Sequence, residues 1–451
     1  MLNTQQGIRV LAFTGLALIL SAASATDTDI EADTTLDTEQ ALPARLPLNE
    51  LRVFAEAFDR VSSAYVEEID DRTLLENAIK GMLSQLDPHS AYLDRDSFSE
   101  LQEDTTGNYG GVGLEVSMED GFVRIISPMD GTPAARAGVK PGDLIIQLND
   151  QPIKGMSLGD AIDAMRGEPG STVRLTLIRE GATQPFEVSL TREIIAVASV
   201  RERLLDTGYG YIRIAQFQSN TGTEVEDAVT SLSAEGKLLG LVLDLRNNPG
   251  GILQSAVAVS DVFIDDGLIV YTAGRLPNSD MRFSASTPDA TNGIPIVVLV
   301  NEGTASASEI VAGALQDHRR AIIMGVNTFG KGSVQTILPL NNEKAIKLTT
   351  ALYYTPNGRS IQAEGIIPDI WVDRSTITPA KPNQFNIKEK DLPGHLANGE
   401  HDPSAADHFT GMHDTELNKT EMNDTELAIT DYQLHEALVL LKGLNILAPQ
   451  G

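Results

Sequence analysis

Between residues 209 and 373, runs of branched apolar residues at 241–245 and 296–300 alternate with stretches of helical periodicity at 253–262 and 305–316. Such alternation predicts an α/β layered core with strands enclosed between helices. The flanking sequence differs in character. From Leu48 to about Glu103 apolar residues recur at helical spacing, as in Leu51, Phe54, Ala55, Phe58 and Val61, and this run contains the turn-forming sequence Leu86-Asp87-Pro88-His89-Ser90. From Gly107 to about Thr191 short alternating strands, one helix at 157–166 and the pairs Asp120-Gly121, Asp130-Gly131, Pro141-Gly142 and Pro169-Gly170 describe a small independent domain. The expected division is a helical segment at 48–105, a small domain at 106–195 and the α/β core at 196–375.

A chain of 451 residues exceeds one compact domain, for which roughly 100–200 residues is usual. Its ends do not read as packed structure. Residues 1–25 join a short segment bearing Arg9 to an apolar run at 10–20 and the small residues Ala23-Ser24-Ala25, the pattern of a cleaved secretory signal. That run falls short of the about 20 residues needed to span a bilayer. An uncleaved N-terminal anchor is the alternative, and either way an exported, periplasmic body is expected. Residues 26–47 read as a solvated linker. Residues 376–430 are acidic, carry an imperfect repeat of Asp-Thr-Glu-Leu and are expected to be disordered, ahead of a terminal helix at 431–451.

The net charge of −29, with no basic run, argues against nucleic acid as a partner. The absence of cysteine excludes disulfides, thiolate metal sites and a Cys nucleophile. The histidines show no metal-ligand spacing, so neither a metal nor another cofactor is expected.

Covalent catalysis must then use another side chain. A Ser hydroxyl is a poor nucleophile until a neighbouring base takes its proton. Of seven histidines, His395, His401, His408 and His413 lie in the acidic segment and His435 in the terminal helix, which leaves His89 and His318. His89 follows Asp87 and Pro88 and is read as a turn residue. A Lys can act as base when burial keeps it neutral. Lys331, between Gly330 and Gly332 and after the apolar Phe329, allows neighbours to pack closely around it. Ser306 falls where the 296–300 strand gives way to a helix. That junction presents the hydroxyl at the carboxyl edge of the sheet beside free N–H groups, with Ala307 a natural oxyanion donor.

The stretch 301–335, NEGTASASEIVAGALQDHRRAIIMGVNTFGKGSVQ, resembles the C-terminal processing peptidases, also called tail-specific proteases. Their nucleophile is the middle Ser of an S-A-S-A-S-E run and their base the Lys of T-F-G-K-G. The resemblance covers most of 48–375 and returns over 431–443. It implies Ser306 as nucleophile, Lys331 as general base, and Gln335 as the residue that orients Lys331. It also implies a second oxyanion donor from Gly250 or Gly251 in the turn Arg246-Asn247-Asn248-Pro249-Gly250-Gly251. Thr304 departs from the Ser found in many relatives, and activity is expected to survive it. The fold implied is an α+β or α/β multidomain chain: a crotonase-like (ClpP/crotonase-type) protease core, an inserted PDZ domain and an N-terminal helical segment.

Residues 110–116, Gly-Gly-Val-Gly-Leu-Glu-Val, resemble the carboxylate-binding loop of PDZ domains. Backbone N–H groups of Gly111, Val112, Gly113 and Leu114 would hold a terminal carboxylate while the tail adds as a strand. Substrates with free, nonpolar C-termini are the partners this implies. Relatives form homo-oligomers, and some bind a lipoprotein adaptor. Two other readings exist: a scaffold that binds tails without cutting, and a crotonase-like acyl-CoA enzyme, which export disfavours.

Overall fold

The computed structural model describes residues 47–377 apart from 120, 130, 183, 277–278, 287 and 341–342, together with 388, 392–396 and 424–447. The expectations for the signal, the linker up to residue 46 and most of the acidic segment fall outside the described residues. The chain separates into two units, residues 1–74 and 75–451. In the first, the helix Leu48–Ala64 has no buried side chain, and the Ser62 hydroxyl donates to Asp71 at 2.9 Å.

In the second unit the strands Gly240–Asp244 and Ile296–Val300 are buried at all five positions, as their continuous apolar runs require. They lie side by side at the centre of a six-stranded sheet. Its order is Val200–Asp206, Tyr209–Ile214, Gly240–Asp244, Ile296–Val300, Ile322–Gly325 and Ile370–Trp371, parallel throughout except for the first pair. Alternate side chains go to opposite faces. Leu241, Leu243, Ile296, Val298 and Val300 meet the helices Thr221–Ala234, Leu253–Asp261 and Ala307–Asp317. Val242, Val297 and Leu299 meet Leu434, Ala437, Leu438 and Leu441 of the terminal helix Tyr432–Leu447. Each such aliphatic side chain contributes roughly 1.5–3 kcal/mol when fully buried.

A second, antiparallel sheet is built around the strand Ala345–Tyr354, which pairs with Ala91–Leu93, Leu268–Gly274 and Ser333–Pro339. The small domain has its own antiparallel sheet, ordered Leu114–Glu119, Phe122–Pro128, Leu144–Leu148, Thr172–Ile178 and Phe186–Thr191. The helix Leu158–Met165, capped by Ser157, and residues such as Ile125, Ile145 and Leu175 complete a separate apolar core. Entry and exit run side by side, because Asn108–Gly111 pairs antiparallel with Glu193–Ala196. Among the described residues no helix is long and apolar enough to cross a membrane.

The helix expected from residue 305 begins at Ala307. Its periodicity does extend back to 305, but Ser306 has φ 58° and ψ −116°, outside the right-handed helical region, and so stands at the helix N-terminus as a cap position.

Candidate active site

Two turns at the carboxyl ends of the neighbouring central strands are bonded to each other. Asn301 accepts the N–H of Asn247 at 2.8 Å and donates to its side-chain oxygen at 2.8 Å. The Thr304 hydroxyl, fully buried, donates to the Leu245 carbonyl at 2.8 Å, and the Ala305 N–H reaches the Asn248 carbonyl at 2.9 Å. Thr304 thus uses the hydroxyl that a Ser would also offer. Beyond this brace comes Ser306, half-buried and at positive φ, a conformation that costs a non-glycine residue of order 1–3 kcal/mol and persists only where the surroundings enforce it.

What enforces it is Glu309, a completely buried carboxylate in the first turn of the helix. Its Oε2 accepts the backbone N–H of Ser306 at 2.7 Å and that of Lys331 at 2.9 Å. Its Oε1 accepts the N–H of Gly330 at 2.7 Å and the hydroxyl of Thr328. Burial raises the Glu309 carboxyl above its usual range against the pull of these four donors. One side chain therefore ties the Ser306 backbone to the loop that carries Lys331.

Lys331 is half-buried, and desolvation, seconded by the nearby Lys347, lowers its ammonium from the ordinary value against the charges of Glu309 and Asp87. A methyl group at Gly332 would stand 2.5 Å from the Gln362 backbone nitrogen, so the close packing expected around this lysine is present. Tyr353, fully buried, donates its hydroxyl to the Lys331 carbonyl. Burial and the Glu309 charge push its phenol well up, against a hydrogen bond involving Ser306, which keeps it a donor.

Gly250 packs directly on the Ser306 side: a Cβ there would lie 2.7 Å from the Ser306 Cβ and 2.9 Å from the Ala307 nitrogen. Both glycines of the turn have positive φ, +101° and +143°. The Gly250 N–H is given to the Asn248 side-chain oxygen at 2.9 Å. Of the two glycines offered as oxyanion donors, Gly251 is the one whose N–H is not committed to that side chain. Ala307 sits in the first turn of its helix, where N–H groups lack intrahelical acceptors.

A register shift between Val334 and Gln335 places Gln335 opposite Thr349, and its amide nitrogen bonds the Ser333 hydroxyl at 3.0 Å and faces the Thr349 hydroxyl at 3.4 Å. Its side-chain hydrogen bonds among the described residues do not include Lys331. His318 faces the Leu268 carbonyl at 2.7 Å, and the His89 imidazole lies within electrostatic reach of Lys331, Asp87 and Lys347, its pKa lowered first by burial.

In the small domain, Gly111, Val112, Gly113 and Leu114 all line one cavity of about 220 Å³, with Val116, Ile162 and Met165. This is a groove of mixed polar and apolar lining between a strand and a helix. Arg166 closes it, its guanidinium 5.0 Å from the Tyr109 ring centre and 3.5 Å from Glu103.

Glu309, Tyr353 and Asp87 were not anticipated as members of the site. Only Glu309 carried a local signal, since a Ser at a helix start followed three residues later by Glu is a capping pattern.

Comparison with known proteins bears on the family to which the chain belongs. Residues 208–372 match the model of peptidase family S41, residues 124–179 that of a PDZ domain, and residues 10–97 that of the activating protease CtpB N-terminal domain. The carboxy-terminal-processing protease of Bartonella bacilliformis is 47% identical over 350 residues, spanning 77% of this chain and 80% of its own. The carboxy-terminal processing protease CtpA of Bacillus subtilis is 37% identical over 315 residues, 70% of this chain and 67% of its own. The solved photosystem II D1 C-terminal processing protease superposes with a TM-score of 0.43 at 35% identity, over 72% of this chain and 93% of its own. The class is that of a serine-type peptidase with a PDZ domain. The chain belongs to the S41 family of carboxy-terminal processing peptidases.

Proposed function

We propose that this peptidase is an exported endopeptidase that captures free, nonpolar C-terminal tails in its PDZ groove and cuts the bound protein with Ser306 and Lys331. The observation that carries this reading is the single Glu309 oxygen receiving the N–H groups of both Ser306 and Lys331. In this mechanism Lys331, whose ammonium is disfavoured by desolvation, takes the Ser306 proton in its neutral form as Oγ attacks the scissile carbonyl. The N–H groups of Ala307 and Gly251 receive the oxyanion, a contribution of about a hundred- to thousandfold in rate per donor. Lys331 then protonates the leaving amine. Water hydrolyses the ester by the same proton path in reverse.

Gln335 belongs to this reading as the residue that orients Lys331, through its hold on the strand that follows the lysine. The core at 196–375 is proposed to be crotonase-like, with the PDZ domain at 106–195 inserted after the 48–105 segment. Homo-oligomerisation and a lipoprotein adaptor belong to the same proposal. The PDZ reading rests on the four loop residues lining one groove together with the apolar Val116, Ile162 and Met165, with Arg166 supplying positive charge.

The test is cleavage of an unstructured protein with an apolar C-terminus by the wild type, Ser306→Ala and Lys331→Ala, with and without C-terminal amidation of the substrate. The expected result is cutting by the wild type, none by either variant, and slower cutting of the amidated substrate. Cutting by Lys331→Ala sinks the dyad, and indifference to amidation sinks tail capture. A wild type that binds the tail and never cuts makes the chain a scaffold.

A further inference from the structure

Asp87 reaches the candidate site from outside the α/β core. It sits in the Leu86-Asp87-Pro88-His89-Ser90 turn, where Oδ1 accepts the N–H groups of His89 at 2.8 Å and Ser90 at 2.9 Å, and Oδ2 accepts the Ser90 hydroxyl at 2.6 Å. That much is ordinary turn chemistry. The same Oδ1 also accepts the hydroxyl of Thr349 at 3.1 Å, and the Ser90 hydroxyl accepts the Thr349 N–H at 3.2 Å. Thr349 lies opposite Gln335 in the strand pair, and the Gln335 amide faces its hydroxyl. A continuous relay therefore runs from Gln335 through Thr349 to Asp87, and it anchors the strand Ser333–Pro339 that begins two residues after Lys331.

The charged and titratable groups around Lys331 come from three elements: Glu309 from the helix, Asp87 and His89 from the turn, and Lys347 from the central strand of the second sheet. Tyr353, on that same strand, bonds the Lys331 carbonyl. Glu309 has both oxygens engaged by four donors, and burial works against its ionisation. Asp87 also meets a burial penalty, but hydrogen bonds from Ser90, His89 and Thr349 outweigh it and hold the carboxyl below the usual range. Asp87 is thus the secure negative charge near Lys331. When Lys331 takes a proton, an ammonium forms where desolvation disfavours it. A fixed carboxylate stabilises that charge as it develops, as the Asp of a Ser-His-Asp triad does for its imidazolium. Only stabilisation that is greater in the transition state raises the rate.

We infer that Asp87 is a positioning residue for the Ser306–Lys331 reaction, which braces the Lys331 strand through Thr349 and Gln335 and supplies the counter-charge for the ammonium that forms on Lys331. The inference rests on the Ser–Lys reading given above, and the experiment separates the two. Full-length wild type, Asp87→Asn, Asp87→Glu, Thr349→Val, Lys331→Ala and His89→Ala are compared for kcat and for kcat/KM against pH on one unstructured protein substrate, with a thermal melt of each.

Asp87→Asn is expected to stay folded and to lose roughly tenfold or more in kcat. The acid limb of its kcat/KM profile is expected to move to lower pH, because the carboxylate that favours the Lys331 ammonium is gone. Asp87→Glu restores part of the rate, and Thr349→Val lowers kcat with the limb unmoved. An Asp87→Asn protein with the wild-type rate, or with a lower rate and an unmoved limb, overturns the inference while leaving the dyad standing. Should Asp87→Asn fail to fold, a wild-type kcat in Thr349→Val overturns it instead. Activity that survives in Lys331→Ala but is lost in His89→Ala makes His89 the base, and then the Ser–Lys reading itself has failed.

Discussion

The carboxylate of Glu309 sets the relative position of two backbone segments that are 25 residues apart in sequence, through N–H bonds from Ser306 and Lys331 to one oxygen. Glu309→Gln keeps the volume but replaces an acceptor oxygen by a donor NH₂. At least one of the four N–H or O–H groups now meeting the carboxylate loses its partner in a buried site, at about 1–3 kcal/mol. A misplacement of about 1 Å at a catalytic group costs about a hundredfold in rate. The expected outcome is a kcat down by about that factor with KM little changed and a lower melting temperature, checked by steady-state kinetics and a thermal melt; a wild-type kcat would remove Glu309 from the positioning machinery. The spacing of Ser306 and Glu309 is legible as a cap, whereas the bond to Lys331 is a tertiary contact with no local signature. Gln335 shows the opposite case. Its position four residues beyond Lys331 is plain in the chain, but a strand irregularity decides which neighbour it meets, and no residue pattern announces that shift.

The strand Ile296–Val300 and the helix after it follow from their residues: five branched or aliphatic side chains in a row need cover on both faces, and small residues with Glu at the third position suit a helix start. The turn at 246–251 was legible as glycine-rich, yet which of its N–H groups is already engaged depends on Asn248 folding back to Gly250. This element supports a prediction of its own. Gly250→Ala puts a methyl group 2.7 Å from the Ser306 Cβ and 2.8 Å from the Ala305 carbonyl oxygen, at a φ that L-residues rarely adopt. Neither neighbour is the far end of a flexible chain, so the two turns must separate. Cleavage is expected to fall about a hundredfold or more. Stability should fall by the strain alone, roughly 1–3 kcal/mol, read from denaturant unfolding. Full activity in Gly250→Ala would show that the turns do not need to touch.

Across the whole second unit, the α/β sheet owes one of its two faces to residues near the far end of the chain. Leu434, Ala437, Leu438 and Leu441 cover Val242, Val297 and Leu299, and the Arg246 guanidinium binds Asp431 with two bonds, at 2.8 and 2.7 Å, while also holding the buried Asp244. The amphipathic stretch at 432–444 pointed to such docking, but nothing local told which face it would take. Asp431→Ala leaves that guanidinium with part of its hydrogen bonding unmet, and a loss of about 1–3 kcal/mol is expected in unfolding experiments. Truncation after residue 423 is expected to yield aggregated protein, judged by size-exclusion chromatography, and a monodisperse active product would refute the covering role. This arrangement also bears on timing. A chain still being synthesised has Arg246, Ser306 and Lys331 long before it has Asp431 and the helix that covers the sheet. Until residues 431–441 have been made, Val242, Val297 and Leu299 lack this cover, so a nascent chain is expected to hold one apolar face of its sheet open to solvent.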